Sequence, residues 1–208
     1  MKIANSYTFF ILIFILLGNV YNVNAQTIEA SVEFQETLNK EYADAETSPL
    51  TPKALKKFKG LEFFPVSKRY IVTAKFERVQ NAEPFKMATT TDREPIYQLY
   101  GVATFEIDGK TYTLNIYQSH KLREMEEYKN HLFLPFTDLT CGVESYGGGR
   151  FIDLEIPEGD EIIIDFNQAY NPYCAYNHKY SCPIPPAEND LKVEIRAGVR
   201  HDNQKKHK

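Results

Sequence analysis

Two segments of the chain concentrate residue types able to do chemistry. The first runs from Thr140 to Arg150 and holds Gly142, Gly147, Gly148 and Gly149, four of the ten glycines. Three successive glycines are entropically costly to order, so they imply a backbone that takes positive φ or approaches something closely. Arg150 follows at once, and amide N–H groups beside a guanidinium make a cradle for an anion. Glu144 and Tyr146 lie in the same run. The plain structural alternative is a tight connection whose arginine pairs with Glu144 or Asp153. A nucleotide-type phosphate loop leads into a helix, whereas this run leads into a strand-like stretch, so that motif does not fit.

The second segment runs from Asp165 to Pro186. Tyr170, Tyr173, Tyr176 and Tyr180 alternate there with Asn167, Asn171 and Asn177, and Pro183, Pro185 and Pro186 close it. Such a composition excludes a regular helix or a central strand. It predicts a long ordered loop held by side-chain hydrogen bonds, a kind of loop that is often functional. The alternative is a clasp whose phenols and amides only satisfy the loop backbone. Cys174 and Cys182 lie inside it and admit two readings. One is a local disulfide, whose short loop would contribute about 2–3 kcal/mol. The other is a metal site of Cys174, His178 and Cys182, completed by His120 or His131. No CxxC pair is present, which favours the disulfide. Cys141 is left over, as a nucleophile if a histidine lies near it or as a small buried hydrophobe.

The chain that must position these segments has 208 residues, 43% hydrophobic and 25% charged, proportions that suit one globular domain rather than a disordered chain. A net charge of −4 argues against a nucleic-acid partner. Residues 1–25 read as a signal peptide: Lys2, an apolar run from Phe9 to Leu17, then Val23-Asn24-Ala25 as a cleavage site. No cysteine follows that run to carry a lipid, and no later stretch has the length of a membrane span. The expected product is periplasmic or secreted, where disulfides form.

A helical lead-in is expected over 26–60, a mainly β domain over 61–200 and a polar tail over 201–208. Ile28, Val32, Leu38, Tyr42 and Ala45 recur near helical spacing, with Phe34 off the stripe. Thr51 as N-cap, Pro52 after it and Gly60 beyond the end mark a second, shorter helix. Strands are expected over 69–76, 96–107 and 110–117, the last two joined through Asp108-Gly109 as a hairpin. Further strands at 151–156 and 161–166 flank a Pro157-to-Asp160 turn, a short helix is expected around Leu122 to Tyr128, and Leu191, Val193 and Ile195 suggest a final strand. The sum is an α+β, mainly β fold: an antiparallel sheet or small barrel preceded by one or two N-terminal helices.

At the two loops the sequence resembles the bacterial family known as domain of unknown function 1684, in a secreted short form. The resemblance rests on Phe136-Thr137-Asp138-Leu139-Thr140, on Gly142 to Asp153, on Asp165 to Ala175, on Cys182 to Asn189 and on Ile195-Arg196-Ala197-Gly198. Cys174 and Cys182 fit the family pattern, whereas His178 and Cys141 do not, which weakens the metal and nucleophile readings. The family name implies no activity. Three functions are therefore weighed. The first is a binding module for a small polar or anionic ligand, held between the two loops by Glu144, Tyr146, Arg150, Asp165, Asn167, Tyr170, Asn171 and Tyr176. The second is a hydrolase-like enzyme using Glu144, Asp153, Asp165 or Glu188 with Arg150, although no GxSxG or HExxH signature supports it. The third is a structural or interaction protein. No cofactor and no metal is expected. Convergence of Glu144, Arg150, Asp165 and Asn171 on one solvent-connected cavity would mark a site, and dispersal onto mutual partners would mark scaffold.

Overall fold

A computed structural model describes residues 28–201. The export segment expected over 1–25, and all of the polar tail except His201, lie outside the described residues. Helix α1, Ile28–Ala43, turns Ser31, Leu38 and Tyr42 inward. Val32, expected on the buried stripe, is instead 40% exposed. The reason lies in what the helix meets. Ser31 Oγ donates to Asp165 Oδ2 at 2.5 Å, and Gln35 Nε2 donates to the Asn167 carbonyl at 2.9 Å. A buried carboxylate needs donors, so the helix offers a partly polar face. Helix α2 covers only Pro52–Leu55, with Thr51 Oγ1 capping the Ala54 N–H at 3.2 Å. It stops well short of Gly60, and single turns at Lys57 and Phe58 replace its expected second half.

Seven strands follow: β1 Ile71–Arg78, β2 Phe85–Lys86, β3 Ile96–Ile107, β4 Lys110–Ser119, β5 His131–Phe136, β6 Arg150–Glu155 and β7 Glu161–Asp165. They form one antiparallel sheet in the order β6-β5-β4-β3-β1-β7, with β2 alongside β3. The β3–β4 hairpin turns through Asp108 and Gly109, both at positive φ, as the sequence anticipates. The strands β6 and β7, consecutive in sequence, do not pair as a hairpin. They occupy opposite ends of the order. Six strands laid flat would separate these ends by about 24 Å. The connector's six Cα steps reach only about 21 Å. The sheet therefore curls, and the fold is a half-barrel with α1 at its N-terminal side.

The main core lies on one face of this sheet, where Ala74, Phe105, Leu114, Leu134, Ile152 and Ile164 meet. Leu191 and Ile195 cover it, in an irregular segment rather than the final strand expected there. This segment runs beside Thr137 to Leu139, with Leu191 N–H donating to the Thr137 carbonyl and Leu139 N–H to the Val193 carbonyl. The short helix expected near Leu122 is a pair of single turns, 122–124 and 126–128.

One irregularity positions the candidate site. The β3–β4 register slips between Leu99 and Gly101. A strand has a period of two, so a one-residue slip moves later side chains to the other face. Ala103, Phe105 and Ile107 therefore join the main core, while Tyr97 and Leu99 join a second cluster with Met87, Tyr117, Phe133 and Phe151. Gly101 has no alternative at the slip, because a Cβ there would stand 2.4 Å from the Phe76 ring.

Candidate functional site

Tyr97, Phe133 and Phe151 of the second cluster form the floor of a cavity of about 570 Å³. Phe133 on β5 and Phe151 on β6 meet edge to face at 4.8 Å, and Tyr97 lies 5.7 Å from Phe133. Phe34, Leu38 and Glu41 of α1 make one wall, at i, i+4 and i+7. Tyr170, Pro172, Tyr173 and Tyr180 from the long loop make another, and Ser181, Cys182 and Pro183 close it beside Arg93. Tyr170 also pairs with Phe151, each N–H donating to the other's carbonyl, so the loop is stitched to the free edge of β6.

Within this mostly aromatic lining sits one polar relay. Phe133 faces Asp153 across β5 and β6, and His131 faces Glu155, which sets His131 diagonal to Asp153. His131 Nε2 lies 2.8 Å from Asp153 Oδ1, and the Tyr170 hydroxyl donates to Oδ2 at 2.8 Å. The Asp153 side chain remains half exposed. Burial, and then the Asp153 carboxylate, push the Tyr170 phenol well above its ordinary value, so it stays a donor. A nitrogen facing a carboxylate carries the proton in neutral imidazole, which makes His131 Nδ1 the acceptor. That atom is buried without a partner among the described residues.

Of the residues expected to bind a ligand or form the bridge, Tyr170 and Cys182 line this cavity; Asp153, expected as a hydrolytic carboxylate, and His131, expected as a fourth metal ligand, line it too. Arg150 is wholly buried: its guanidinium donates to Asp138 Oδ2 and the Ile195 carbonyl, each at 2.8 Å, and to the Ala197 carbonyl. Glu144 accepts from Arg196 Nε at 2.8 Å. Asp165 Oδ1 accepts from both nitrogens of Asn167, whose amide also clasps Ser67 N–H and C=O at 3.0 Å each. Asn171 Nδ2 donates to the Tyr176 hydroxyl at 3.0 Å. Tyr146 lies edge-on to His201 at 5.5 Å. Glu144, Arg150, Asp165 and Asn171 thus disperse onto structural partners. The glycine run needs its backbone freedom at Gly149, where φ is +85° and a Cβ would stand 2.6 Å from the Phe136 carbonyl. No group of three His, Cys, Asp or Glu side chains at metal-binding spacing occurs among the described residues.

The sequence suggests His131 as a fourth metal ligand and Asp153 as a hydrolytic carboxylate or a partner of Arg150, but not the two as partners of each other. Their shared signal is weak: each is a polar residue two positions from an aromatic one on the same strand face, His131 with Phe133 and Asp153 with Phe151. Arg93, in a stretch without regular structure, gives no sequence signal.

The tyrosines around the site also set the alkaline limit of the fold. Burial is the first cause raising Tyr42, Tyr97, Tyr170 and Tyr176 above the ordinary 10.0. Between the unfolded and folded values only the folded chain keeps these protons, so stability is whole below pH 10 and falls as pH rises past it. Each such phenol removes about 1.4 kcal/mol per pH unit. Alkaline titration should show an early tyrosinate fraction from exposed phenols such as Tyr128, and a later fraction that appears together with loss of the β circular-dichroism signal. Ionisation of the whole tyrosine complement well before unfolding would contradict the buried assignment.

The family model described as a protein of unknown function, DUF1684, matches residues 56–200. The chain belongs to this family. Among solved structures, this DUF1684 protein is similar to the solution NMR structure of an uncharacterized protein from Haloarcula marismortui. The two are 32% identical with a TM-score of 0.66, over 85% of this chain and 95% of that one. No curated protein matches the chain. The family match begins at Lys56, so the α1 wall of the cavity lies outside the matched stretch.

Proposed function

We propose that this DUF1684 protein binds a small molecule, whose apolar or aromatic body lies among Tyr97, Phe133, Phe151 and Tyr180 and whose polar group meets Asp153. The observation that carries this reading is the half-exposed Asp153 carboxylate, held by His131 and Tyr170 at the edge of an aromatic cavity. Ligand sites are commonly concave, largely apolar and about 300–1,000 Å³, with a few fixed polar groups. A carboxylate already oriented by two donors loses little freedom on binding a third. The site shares the tyrosine-rich loop with the one anticipated from sequence, but the sheet face and α1 take the place of the glycine run.

Export, and a Cys174–Cys182 bridge formed in an oxidising compartment, belong to the same proposal. Its test is a thermal-shift screen of small organic molecules, followed by titration of the hits. Tyr180→Ala should weaken a true site ligand about tenfold, the equivalent of ~1.4 kcal/mol, while leaving the melting temperature of the free protein nearly unchanged. A screen without hits, or hits indifferent to Tyr180→Ala and Asp153→Asn alike, would remove the reading.

A further inference from the structure

The cavity carries charges of both signs, and this restricts what can occupy it. Asp153 supplies a carboxylate at the β6 side. Glu41 adds a second, exposed, at the α1 rim. The one guanidinium in the lining is Arg93, and it is held in place: Nε donates to Ser181 Oγ at 3.1 Å and Nη2 to the Ser181 carbonyl at 2.8 Å. Its Nη1 makes no bond among the described residues. His131 is turned toward Asp153, so it adds a donor to that carboxylate rather than a separate charge in the cavity.

Both charged groups reach the same aromatic floor. The Tyr97 hydroxyl feels Arg93 and Asp153 in opposite directions, the first lowering and the second raising its proton affinity beneath the larger effect of burial. A bare cation in this cavity meets Arg93 as a repulsive neighbour, and a bare anion meets Asp153 and Glu41. Like-charge contact in a confined site disfavours each kind of single charge, a form of discrimination by repulsion. A ligand with an anionic and a cationic end satisfies both groups, each through a charge-assisted hydrogen bond, with its ring on the aromatic floor.

We infer that the ligand is a small aromatic zwitterion of the amino-acid type, its carboxylate on Arg93 and its ammonium on Asp153. The inference rests on the cavity being a binding site, as proposed above.

Four probes with one ring separate the charges: L-phenylalanine, phenethylamine, 3-phenylpropanoate and the neutral 3-phenylpropanamide, each titrated into the purified protein by calorimetry. The zwitterion should bind at least tenfold more tightly than any of the other three. Arg93→Gln should bring phenylalanine down to the level of phenethylamine, and Asp153→Asn down to that of phenylpropanoate. Arg93 is exposed and Asp153 half exposed, and Gln and Asn each keep part of the hydrogen bonding, so both variants should still unfold in one cooperative transition. Equal binding of all four probes, or tighter binding of either single charge, overturns the zwitterion while the cavity stands. Binding of none of the four, when a screened compound still binds in a manner sensitive to Tyr180→Ala, overturns the zwitterion alone. Silence in both experiments overturns the site with it.

Discussion

Arg150→Met should cost about 3–5 kcal/mol, the range for breaking a buried ion pair by removing one partner. Arg150 and Asp138 are each without exposed side-chain surface. The arginine ties β6 to the segment that roofs the main core, through the Ile195 and Ala197 carbonyls. Asp138 is saturated in return: Oδ1 accepts Thr140 N–H at 2.8 Å and Ile195 N–H at 3.1 Å, and Oδ2 accepts Arg150. Methionine fills much of the volume but leaves a buried carboxylate short of its cation and two carbonyls short of donors. That loss is a large share of the ~5–15 kcal/mol by which a domain is stable. Urea unfolding should show a much lower midpoint with an unchanged slope. The double variant Asp138→Leu/Arg150→Met should recover only part of the loss, because Asp138 also holds two backbone donors. A single-variant cost below about 1 kcal/mol would show that the pair is not desolvated as described.

Closing Cys174 to Cys182 should stabilise the fold by about 2–3 kcal/mol in the chain-entropy account. Both are thiols in the structure, and Cys174 N–H donates to Cys182 Sγ at 3.1 Å. Burial, and then the neighbouring Cys174, push the Cys182 thiol up to about 12, so few molecules hold a reactive thiolate at neutral pH. Bridging is correspondingly slow, and it needs a two-electron oxidant, for example oxidised glutathione. The two cysteines lose two protons and two electrons as the S–S bond forms, and the oxidant is released as two reduced thiols. The bridge would join two differently anchored ends of the loop. Tyr173 packs on Tyr42 of α1, whereas the Cys182 carbonyl accepts from Thr90 N–H and the Cys182 N–H donates to Thr90 Oγ1. Mass spectrometry under non-reducing conditions should find the 174–182 link after oxidation, with a higher melting temperature that reductant abolishes. Two free thiols there after oxidation, or a link without thermal effect, would contradict it. Cys141, its thiol raised by burial, should stay unmodified.

The sheet was legible wherever local chemistry decides. Asp108-Gly109 can adopt the hairpin turn and few other pairs can, and Tyr112, Leu114 and Ile116 alternate cleanly along β4. What escaped was set by distant partners. Ser31 and Gln35 lie on the inward face of α1 because of Asp165 and Asn167, more than 100 residues away in sequence. The β6–β7 connector looks like a hairpin turn locally, and only the curl of the whole sheet sends its strands to opposite ends. The glycine run answers the demand its composition implies, positive φ and a close backbone approach at Gly149, whereas Arg150 answers the buried Asp138 carboxylate rather than an anion, Glu144 or Asp153. The Tyr/Asn/Pro loop contributes to the cavity through Tyr170, Tyr173 and Tyr180, while Asn167 and Asn171 are occupied within the scaffold.

The slip in β3 also divides one strand into two stretches with separate duties. Tyr97 and Leu99 before it pack in the cluster at the cavity floor, and Ala103, Phe105 and Ile107 after it furnish the hydrophobic interior. What the cavity accepts can therefore be altered at Tyr97 without changing the side chains that hold the half-barrel together. Selectivity and durability become separately adjustable along a single stretch of backbone, with a glycine as the divider.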